Sequence, residues 1–284
     1  MTRDWRIAGQ AVPIGTRTLI MAVLNVTPDS FSDGNEFLDR DKAIAHAEQM
    51  VAEGADLIDV GGESTRPGAK PVESEDEIRR IIPVIEQLAK RTSVPISVDT
   101  TKSLVASAAL RAGAQIINDV SALRFDPEIA DVAAGTGAGL VLMHSRGGPA
   151  TMHSLPAVHD IVEEVTISLG TSIDVALRRG VKKSSIVIDP GIGFGKTQEQ
   201  NLELIAKLYL IAEALPDFPI LVGTSRKSFI GKILNGAAAD ERLHGTMASV
   251  AIAVLNGADI VRVHDVKAAV ETVRTVEAIR SAGR

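Results

Sequence analysis

The 284-residue sequence contains no cysteine. This absence excludes a disulfide framework, a thiol nucleophile and a cysteine-ligated metal site. It is consistent with a reducing compartment. Histidine also gives no metal signal, because His46, His153, His159 and His244 lack metal-ligand spacing, and we expect these four in helices or at the surface.

Excess positive charge and long apolar runs are missing as well. The formal net charge is −6, which argues against a nucleic-acid partner. No apolar run approaches the roughly 18 residues that a membrane span needs. The first residues, MTRDWRIAGQ, lack the basic-then-apolar layout of a signal peptide. We therefore expect a soluble, cytoplasmic protein that binds neither nucleic acid nor membrane.

The chain has no linker rich in proline or serine and no low-complexity stretch. Its composition, with 45% hydrophobic and 23% charged residues, is typical of globular proteins. We therefore predict a single domain over residues 1–284, in which residues 1–17 form a short N-terminal extension.

Three passages of the chain resemble one another: EGADLIDV (53–60), RAGAQIINDV (111–120) and NGADIVRVHDV (256–266). Each has a glycine where a helix would end, then a short apolar strand, then polar residues. Glycine suits the left-handed position after a helix. The repeated unit is therefore helix, turn, strand and polar loop, which indicates a parallel sheet.

The same criterion predicts eight strands along the chain. They are TLIMAVLN (18–25), DLIDVG (56–61), PISVD (95–99), QIIND (115–119), GLVLMH (139–144), SIVID (185–189), PILVG (219–223) and DIVRVH (259–264). Near-continuous apolar strands are typical of a parallel sheet covered on both faces. Eight such units in a chain of this length predict an α/β fold, a (β/α)₈ barrel of the TIM type. A doubly wound open sheet is the alternative.

Polar residues follow nearly every predicted strand, where the catalytic residues of such barrels lie. They are Asn25, Asp59, Glu63, Asp99, Asn118, Asp119, His144, Asp189, Ser225, Arg226, Lys227, Arg262 and His264. The set combines carboxylates and amides with a separate basic cluster. It predicts a cavity for a ligand that carries both a heterocycle and a phosphate.

The eighth predicted strand carries Arg262, although an unpaired buried charge is very costly. Side chains alternate along a strand, so Arg262 and His264 share one face. We expect that face at the barrel mouth, where Arg262 pairs with ligand phosphate rather than with protein. The segment GTSRKSF (223–229) would join it there, with a helix starting near Ser225 that aims backbone N–H groups at the anion. The alternative is a salt bridge from Arg262 to Asp259 or Asp265, with His264 as a structural residue whose hydrogen bonds are satisfied within the protein.

Asp99, Asn118 and Asp189 form a second group. Carboxylates accept paired N–H bonds and asparagine offers both donor and acceptor, which suits a cyclic guanidine-like edge of a heterocycle. The alternative for Asp99 is a helix N-cap before TTKSLVASAAL. Asp189 precedes the glycine-rich loop DPGIGFGK, and glycine permits close backbone approach to a ligand. Two further loops, 25–37 and 61–71, have the length of active-site lids or are ordinary surface loops.

Together these residues resemble the dihydropteroate synthase family. The motifs that carry the resemblance are LNVTPDSFSDG, DVGGESTRPGA, SVDTTK, INDVSA, LMHSRG, IDPGIGFGK, VGTSRKSFIG and RVHDV, in the family's order and spacing. The similarity runs from about Leu19 to Ile279 and implies a (β/α)₈ barrel. It also implies that 4-aminobenzoate is joined to a dihydropterin diphosphate, with release of pyrophosphate. Asn35 departs from the family pattern, which often has a second glycine there.

The resemblance implies a role for particular residues. Pterin and diphosphate would contact Thr65, Asp99, Asn118, Met143, Asp189, Lys227, Arg262 and His264. Aminobenzoate would lie against Pro67, Phe194, Lys227 and Ser228. Asp99, Lys227, Arg262 and Asp33 would be catalytic, Arg66 would come from the second loop, and Asn25 would bind Mg²⁺.

Two other functions share parts of this pattern. A relative that passes a methyl group from a pterin to a corrinoid protein would not need STRPG, SRKSF and RVHD, and all three are present. A catalytically silent pterin-binding paralogue is the second alternative. The family is commonly dimeric, and the apolar segment TMASVAIAVLNG (246–257) would cover the barrel or support a homodimer.

Overall fold

The computed structural model describes residues 3–27, 36–64, 72–148, 151 and 155–283. These residues form ten strands and ten α-helices. The strands are β1 (Arg3–Ile7), β2 (Gln10–Ile14), β3 (Leu19–Asn25), β4 (Leu57–Gly61), β5 (Ile96–Asp99), β6 (Ile116–Asp119), β7 (Gly139–Met143), β8 (Ile186–Asp189), β9 (Leu221–Val222) and β10 (Ile260–Val263). The helices are α1 (Glu36–Ala52), α2 (Ser74–Arg91), α3 (Ser103–Ala112), α4 (Glu128–Thr136), α5 (Ile161–Arg178), α6 (Gln198–Ala206), α7 (Leu208–Ala214), α8 (Ser228–Ile233), α9 (Leu243–Leu255) and α10 (Val266–Ala282).

Strands β3 to β10 form one parallel sheet in the order β8-β7-β6-β5-β4-β3-β10-β9. A parallel bridge between Ile188 and Ile220 joins the two ends of this order and closes the sheet. All eight predicted strands are present, and the predicted (β/α)₈ barrel is confirmed. The open doubly wound sheet is therefore wrong.

Tight turns end the helices where the repeats predicted them. Gly54, Gly113 and Gly257 all have positive φ angles, between 107° and 118°. An L-residue with a β-carbon rarely adopts this conformation. Glycine at these positions lets each helix stop and the chain reverse at once into the following strand.

Side chains alternate between the two faces of each barrel strand. On β4, Ile58 and Val60 point outward and pack in the main core beneath the helices. Leu57 points inward and belongs to a second, smaller core. The interior residues of that core form an apolar layer near the strand starts, so the polar residues of the same parity lie towards the carboxyl ends.

The N-terminal hairpin closes the bottom of the barrel. Strands β1 and β2 are antiparallel, and Trp5, Ile7 and Ile14 are buried in the inner core. The Trp5 indole N–H donates to the carbonyl of Ser185 at 2.9 Å. The predicted N-terminal extension therefore packs as a floor beneath the barrel, opposite the carboxyl ends of the strands. Within the described residues, no helix combines the length and apolar character that crossing a bilayer requires.

Candidate active site

Because side chains alternate along each strand, the residues at the strand ends face either into the barrel or away from it. Those that face into the barrel are Asn25, Asp59, Asp99, Asn118, Met143, Asp189 and Arg262. Neighbouring strands align several of them directly: Asp99 pairs in register with Asn118, and Met143 pairs with Asp189. The structure thus brings together most of the predicted site residues at one mouth of the barrel.

Asp119 and His144 have the opposite parity and lie outside this mouth. Asp119 accepts hydrogen bonds from the Ser121 backbone N–H at 2.8 Å and the Leu123 N–H at 2.6 Å, so it caps a turn. Burial and nearby cations such as Lys196 lower the pKa of His144 to about 2, which keeps its ring neutral. Both are structural rather than ligand-facing residues.

Arg262 has protein partners, which corrects both sequence interpretations. Its Nε donates to Asp59 Oδ2 at 2.6 Å, and its Nη2 donates to Asp99 Oδ2 at 2.7 Å. The expectation that Arg262 pairs with ligand phosphate instead of protein is wrong for this structure. So is the alternative pairing with Asp259 or Asp265. A guanidinium has five N–H donors, so these two bonds leave capacity for a ligand.

Asp99 is largely buried within this network, with about a tenth of its side chain exposed, and does not cap a helix. Burial raises the pKa of Asp99 to about 7, with Arg262 opposing the rise and Asp59 adding to it. The N-cap of α3 is Lys102, and the Ser103 N–H is satisfied instead by Asp126 Oδ2 at 2.6 Å. The helix-capping interpretation of Asp99 is therefore wrong, and its carboxylate belongs to the barrel mouth.

Asn118 and Asp189 are both almost fully buried. Asn118 Nδ2 donates to Asp59 Oδ2 at 2.9 Å. Asp189 Oδ1 accepts the Gly191 N–H at 2.7 Å. Burial raises the pKa of Asp189, while Lys227 lowers it. The pair presents hydrogen-bond acceptors at the mouth.

Two glycines after β8, Gly191 and Gly195, approach protein backbone rather than a ligand. A β-carbon at Gly191 would lie 1.8 Å from the His144 carbonyl oxygen, and one at Gly195 would lie 2.4 Å from that of Arg146. Both have positive φ angles, 67° and 70°. The expectation that these glycines make room for a ligand is corrected: they let this loop pack against the loop after β7.

Lys196 stabilises the same loop through hydrogen bonds to its backbone carbonyls. Its Nζ donates to the Gly191 carbonyl at 2.8 Å and the Phe194 carbonyl at 3.1 Å. Burial lowers its pKa well below the usual value. Nothing in the sequence pattern indicates a role for Lys196, and only the loop's three-dimensional path reveals one.

Lys227, in the loop after β9, contacts the loop after β8 at the barrel mouth. Its Nζ donates to the Ile192 carbonyl and lies 4.7 Å from the centre of the Phe194 ring. Burial lowers the pKa of Lys227 to about 8, with Asp189 opposing. A β-carbon at Gly223 would lie 3.9 Å from this Nζ and 3.7 Å from the Arg262 β-carbon. Lys227 and Arg262 are therefore neighbours, and the exposed Ser228 begins α8 beside them.

The remaining basic cluster differs from the prediction. Arg226 donates to both carboxylate oxygens of Asp265, at 2.6 and 3.0 Å. His264 Nδ1 lies 2.9 Å from Ser225 Oγ. The helix begins at Ser228 rather than near Ser225 and is only six residues long. The predicted helix-terminus anion site at Ser225 is therefore wrong, although Ser225 does orient His264.

Asn25 ends β3 at the same mouth. A β-carbon at Gly61 would lie 3.8 Å from both Asn25 Oδ1 and Asp99 Oδ2, so these oxygens flank one point. Within the described residues, no cluster of three or more His, Asp or Glu forms a metal cage. Mg²⁺ commonly binds one or two protein oxygens together with substrate phosphates. The donor chemistry at Asn25 fits this mode.

Four predicted residues, Asp33, Thr65, Arg66 and Pro67, lie outside the described residues, as do most of the two predicted lid loops. Asp59 is important in the structure, although its sequence position among the strand-end carboxylates indicates no task for it. Counting parity back from Gly61 along β4 would have placed it inside the barrel, directly below the mouth.

A parallel barrel whose mouth combines buried acceptors with neighbouring cations defines a class of enzyme that holds a polar heterocycle at the strand ends. The family model described as pterin binding enzyme matches residues 21–264. A dihydropteroate synthase of Synechocystis is 48% identical over 93% of this chain and 91% of its own length. The chain belongs to the dihydropteroate synthase family of pterin-binding enzymes.

Solved structures agree in fold and sequence. The Clostridium difficile dihydropteroate synthase, solved in the presence of pteroic acid, has a TM-score of 0.88 and 47% identity, covering 94% of this chain and 98% of that chain. The Xanthomonas albilineans enzyme, solved with 4-aminobenzoic acid, has a TM-score of 0.90 and 42% identity, covering 98% of both chains.

Proposed function

We propose that the protein is a dihydropteroate synthase, which condenses 4-aminobenzoate with (7,8-dihydropterin-6-yl)methyl diphosphate and releases pyrophosphate. The observation that carries this proposal is the convergence of Asn118, Asp189, Lys227 and Arg262 at one barrel mouth. Relatives that bear this name match nearly the whole chain.

The pterin ring is held by its hydrogen-bonding edge. A pterin carries an amino group and a ring N–H side by side, which is a row of donors. Asn118 and Asp189 supply buried acceptors for such a row, and an unmatched donor there would cost free energy. Met143, buried in register beside Asp189, offers an apolar, polarisable surface for the ring face.

The reaction separates charge, and the site residues stabilise both products of that separation. Loss of diphosphate from the pterin methylene leaves a cation delocalised over the ring. Asp99 and Asp189 provide negative charge near the ring, where preorganised groups stabilise developing charge. Arg262 and His264 provide donors for the departing diphosphate. The amine of aminobenzoate then attacks the methylene carbon and loses one N–H proton to the departed diphosphate or to water, so a covalent enzyme intermediate is not needed.

Phe194, Lys227 and Ser228 form the aminobenzoate side of the site. Phe194 offers a ring face, and Lys227 offers an ammonium group that is already close to it. The carboxylate of aminobenzoate pairs with hydroxyl and backbone donors at the start of α8. By the family resemblance, Pro67, Thr65, Arg66 and Asp33 complete the two substrate sites.

In this proposal, Asn25 would hold Mg²⁺ on the diphosphate side of the site. The ion would supply Lewis-acid neutralisation of charge on the leaving diphosphate. The side-chain oxygen Oδ1 of Asn25 and the carboxylate oxygen Oδ2 of Asp99 lie on the same side of Gly61, each 3.8 Å from the position of a β-carbon there.

Product formation by the purified protein tests the function. With Mg²⁺ and both substrates, we expect 7,8-dihydropteroate and pyrophosphate in equal amounts, identified by mass spectrometry. Omitting aminobenzoate should stop dihydropteroate formation. Pterin binding without product would contradict the proposal and favour the silent paralogue.

We also propose a cytoplasmic homodimer. Helix α9 buries Val250, Ala253 and Val254 against the barrel, while Ile252 and Leu255 on its other side are 46% and 51% exposed. Apolar residues that remain exposed side by side favour a protein–protein contact.

A further inference from the structure

Asp59 is a buried carboxylate that contacts two residues of the proposed site without lying at the mouth itself. Its relative exposure is 0%. One oxygen, Oδ2, accepts from Arg262 Nε at 2.6 Å and from Asn118 Nδ2 at 2.9 Å. The two partners come from strands β10 and β6, on different sides of β4.

The bond to Asn118 decides which end of the amide faces the ligand. A carboxylate can only accept, so the Asn118 nitrogen must turn towards Asp59. The amide is planar, and its oxygen therefore points away from Asp59. The bond to Asp59 thereby fixes the Asn118 oxygen as the acceptor that faces a ligand, while the second N–H of the amide stays available as a donor.

Structural support for the barrel alone does not account for Asp59. Its second oxygen, Oδ1, is buried and has no hydrogen-bond partner among the described residues. An unsatisfied buried polar atom costs on the order of 1–3 kcal/mol. Polar residues that retain such a cost are expected at functional sites.

We infer that Asp59 is a positioning residue. It holds the Asn118 amide with its oxygen towards the ligand, and it also holds the Arg262 guanidinium in place. The site therefore selects heterocycles whose edge carries N–H donors. This rests on the proposed pterin function. The selected ligand class is 2-amino heterocycles, because an amino group carries two N–H bonds, one for each of Asn118 and Asp189.

The test compares pterin with pteridin-4-one, which lacks the 2-amino group, in equilibrium dialysis without the second substrate. The wild-type protein should bind pterin more tightly by at least ~10-fold. In Asp59→Ala, the amide loses its acceptor and can rotate, so the ratio of the two dissociation constants should fall below ~3-fold. Asp59→Asn keeps a carbonyl oxygen and should restore the wild-type ratio.

Asp56→Ala is the matched control. Asp56 lies just before β4 and also binds an arginine, Arg17, through both oxygens, but at the opposite end of the barrel. Its removal should leave the ratio unchanged. A folded Asp59→Ala protein with the wild-type ratio would overturn the inference.

A measurement on the wild-type protein covers the case in which Asp59→Ala does not fold. Nuclear magnetic resonance should detect a scalar coupling through the hydrogen bond between Asn118 Nδ2 and Asp59 Cγ, with and without pterin. Its absence would overturn the inference. Failure of the wild type to release pyrophosphate would contradict the enzyme proposal, while the binding ratios would still decide the role of Asp59.

Discussion

At the residue scale, Arg262 carries two tasks that can be separated. It pairs with Asp59 and Asp99, and it is the proposed donor to diphosphate. Arg262→Ala should raise the dissociation constant of the diphosphate substrate by at least ~10-fold, about 1.4 kcal/mol. It should also lower stability by about 3 kcal/mol, since removing one partner strands a buried charge.

Calorimetric titration and thermal denaturation check these two effects. Arg226→Ala is the control, because Arg226 pairs with Asp265 at the rim and should change the dissociation constant little. Unchanged substrate binding in Arg262→Ala would leave Arg262 with its structural task alone.

The pH profile of kcat/KM follows from two residues of the site. The pKa of Asp99 is raised to about 7, so the carboxylate that stabilises the ring cation forms as pH rises through that value. The pKa of Lys227 is lowered to about 8, so its charge is lost as pH rises further. The profile should therefore be bell-shaped, with its limbs reporting the free enzyme.

Two substitutions assign the limbs of the bell. Asp99→Asn should remove the acid limb, and Lys227→Arg should move the alkaline limb to higher pH. An acid limb that persists in Asp99→Asn would show that another group sets it.

At the element scale, the loop after β8 packs against the loop after β7, and this contact distinguishes Gly191 from Gly236, a glycine that follows α8. In Gly191→Ala, the new β-carbon would meet the His144 carbonyl oxygen at 1.8 Å, on top of a positive φ. This should destabilise the protein by more than ~3 kcal/mol. Gly236→Ala also has a positive φ but meets nothing within 4 Å, so it should cost only about 1 kcal/mol.

Urea denaturation of both variants measures the difference. Equal losses of stability would mean that backbone conformation alone, and not the contact with the loop after β7, requires glycine at 191.

The N-terminal hairpin is the second element with a testable task. Trp5→Ala should lower the free energy of unfolding by about 3–5 kcal/mol, because a large buried side chain is removed from the floor of the barrel. KM for both substrates should stay within about twofold of wild type, since the site lies at the other end; twofold is well under 1.4 kcal/mol. A large rise in KM would show that packing of the hairpin beneath the barrel affects substrate binding at the barrel mouth.

Element-level patterns predicted the fold well and the site partly. Short apolar segments located every barrel strand, and helix-ending glycines marked the turn before several of them, such as Gly113 before β6, since both signals are local. Alternation placed Arg262 and His264 on one face. The partner of Arg262 is Asp59, 203 residues earlier in the chain, and such a pairing depends on how the closed barrel sets the depth of each side chain. Likewise, the glycines of residues 191–195 indicated that another group packs closely against this loop, but the sequence did not show that the group is the backbone of the loop after β7.

At the scale of the whole molecule, the proposed homodimer predicts a mass in sedimentation equilibrium of twice the 29.9 kDa of one chain. Replacing Ile252 and Leu255 together by lysine should give a monomer, because charge at a buried apolar contact is unfavourable. Lysine at the exposed Ile167 on α5 should leave the mass unchanged. A wild-type protein that sediments at the mass of one chain would contradict the proposal.

The central claim is that one barrel mouth reads a pterin by its donor edge and holds diphosphate beside it. A crystal structure of the protein with pterin and pyrophosphate tests this most directly. We expect the nitrogen of the pterin 2-amino group within about 2.7–3.2 Å of Asn118 Oδ1 and of the Asp189 carboxylate, with pyrophosphate against Arg262 and His264. A ring bound outside the barrel mouth, or one that turns its carbonyl oxygen towards Asn118, would contradict it.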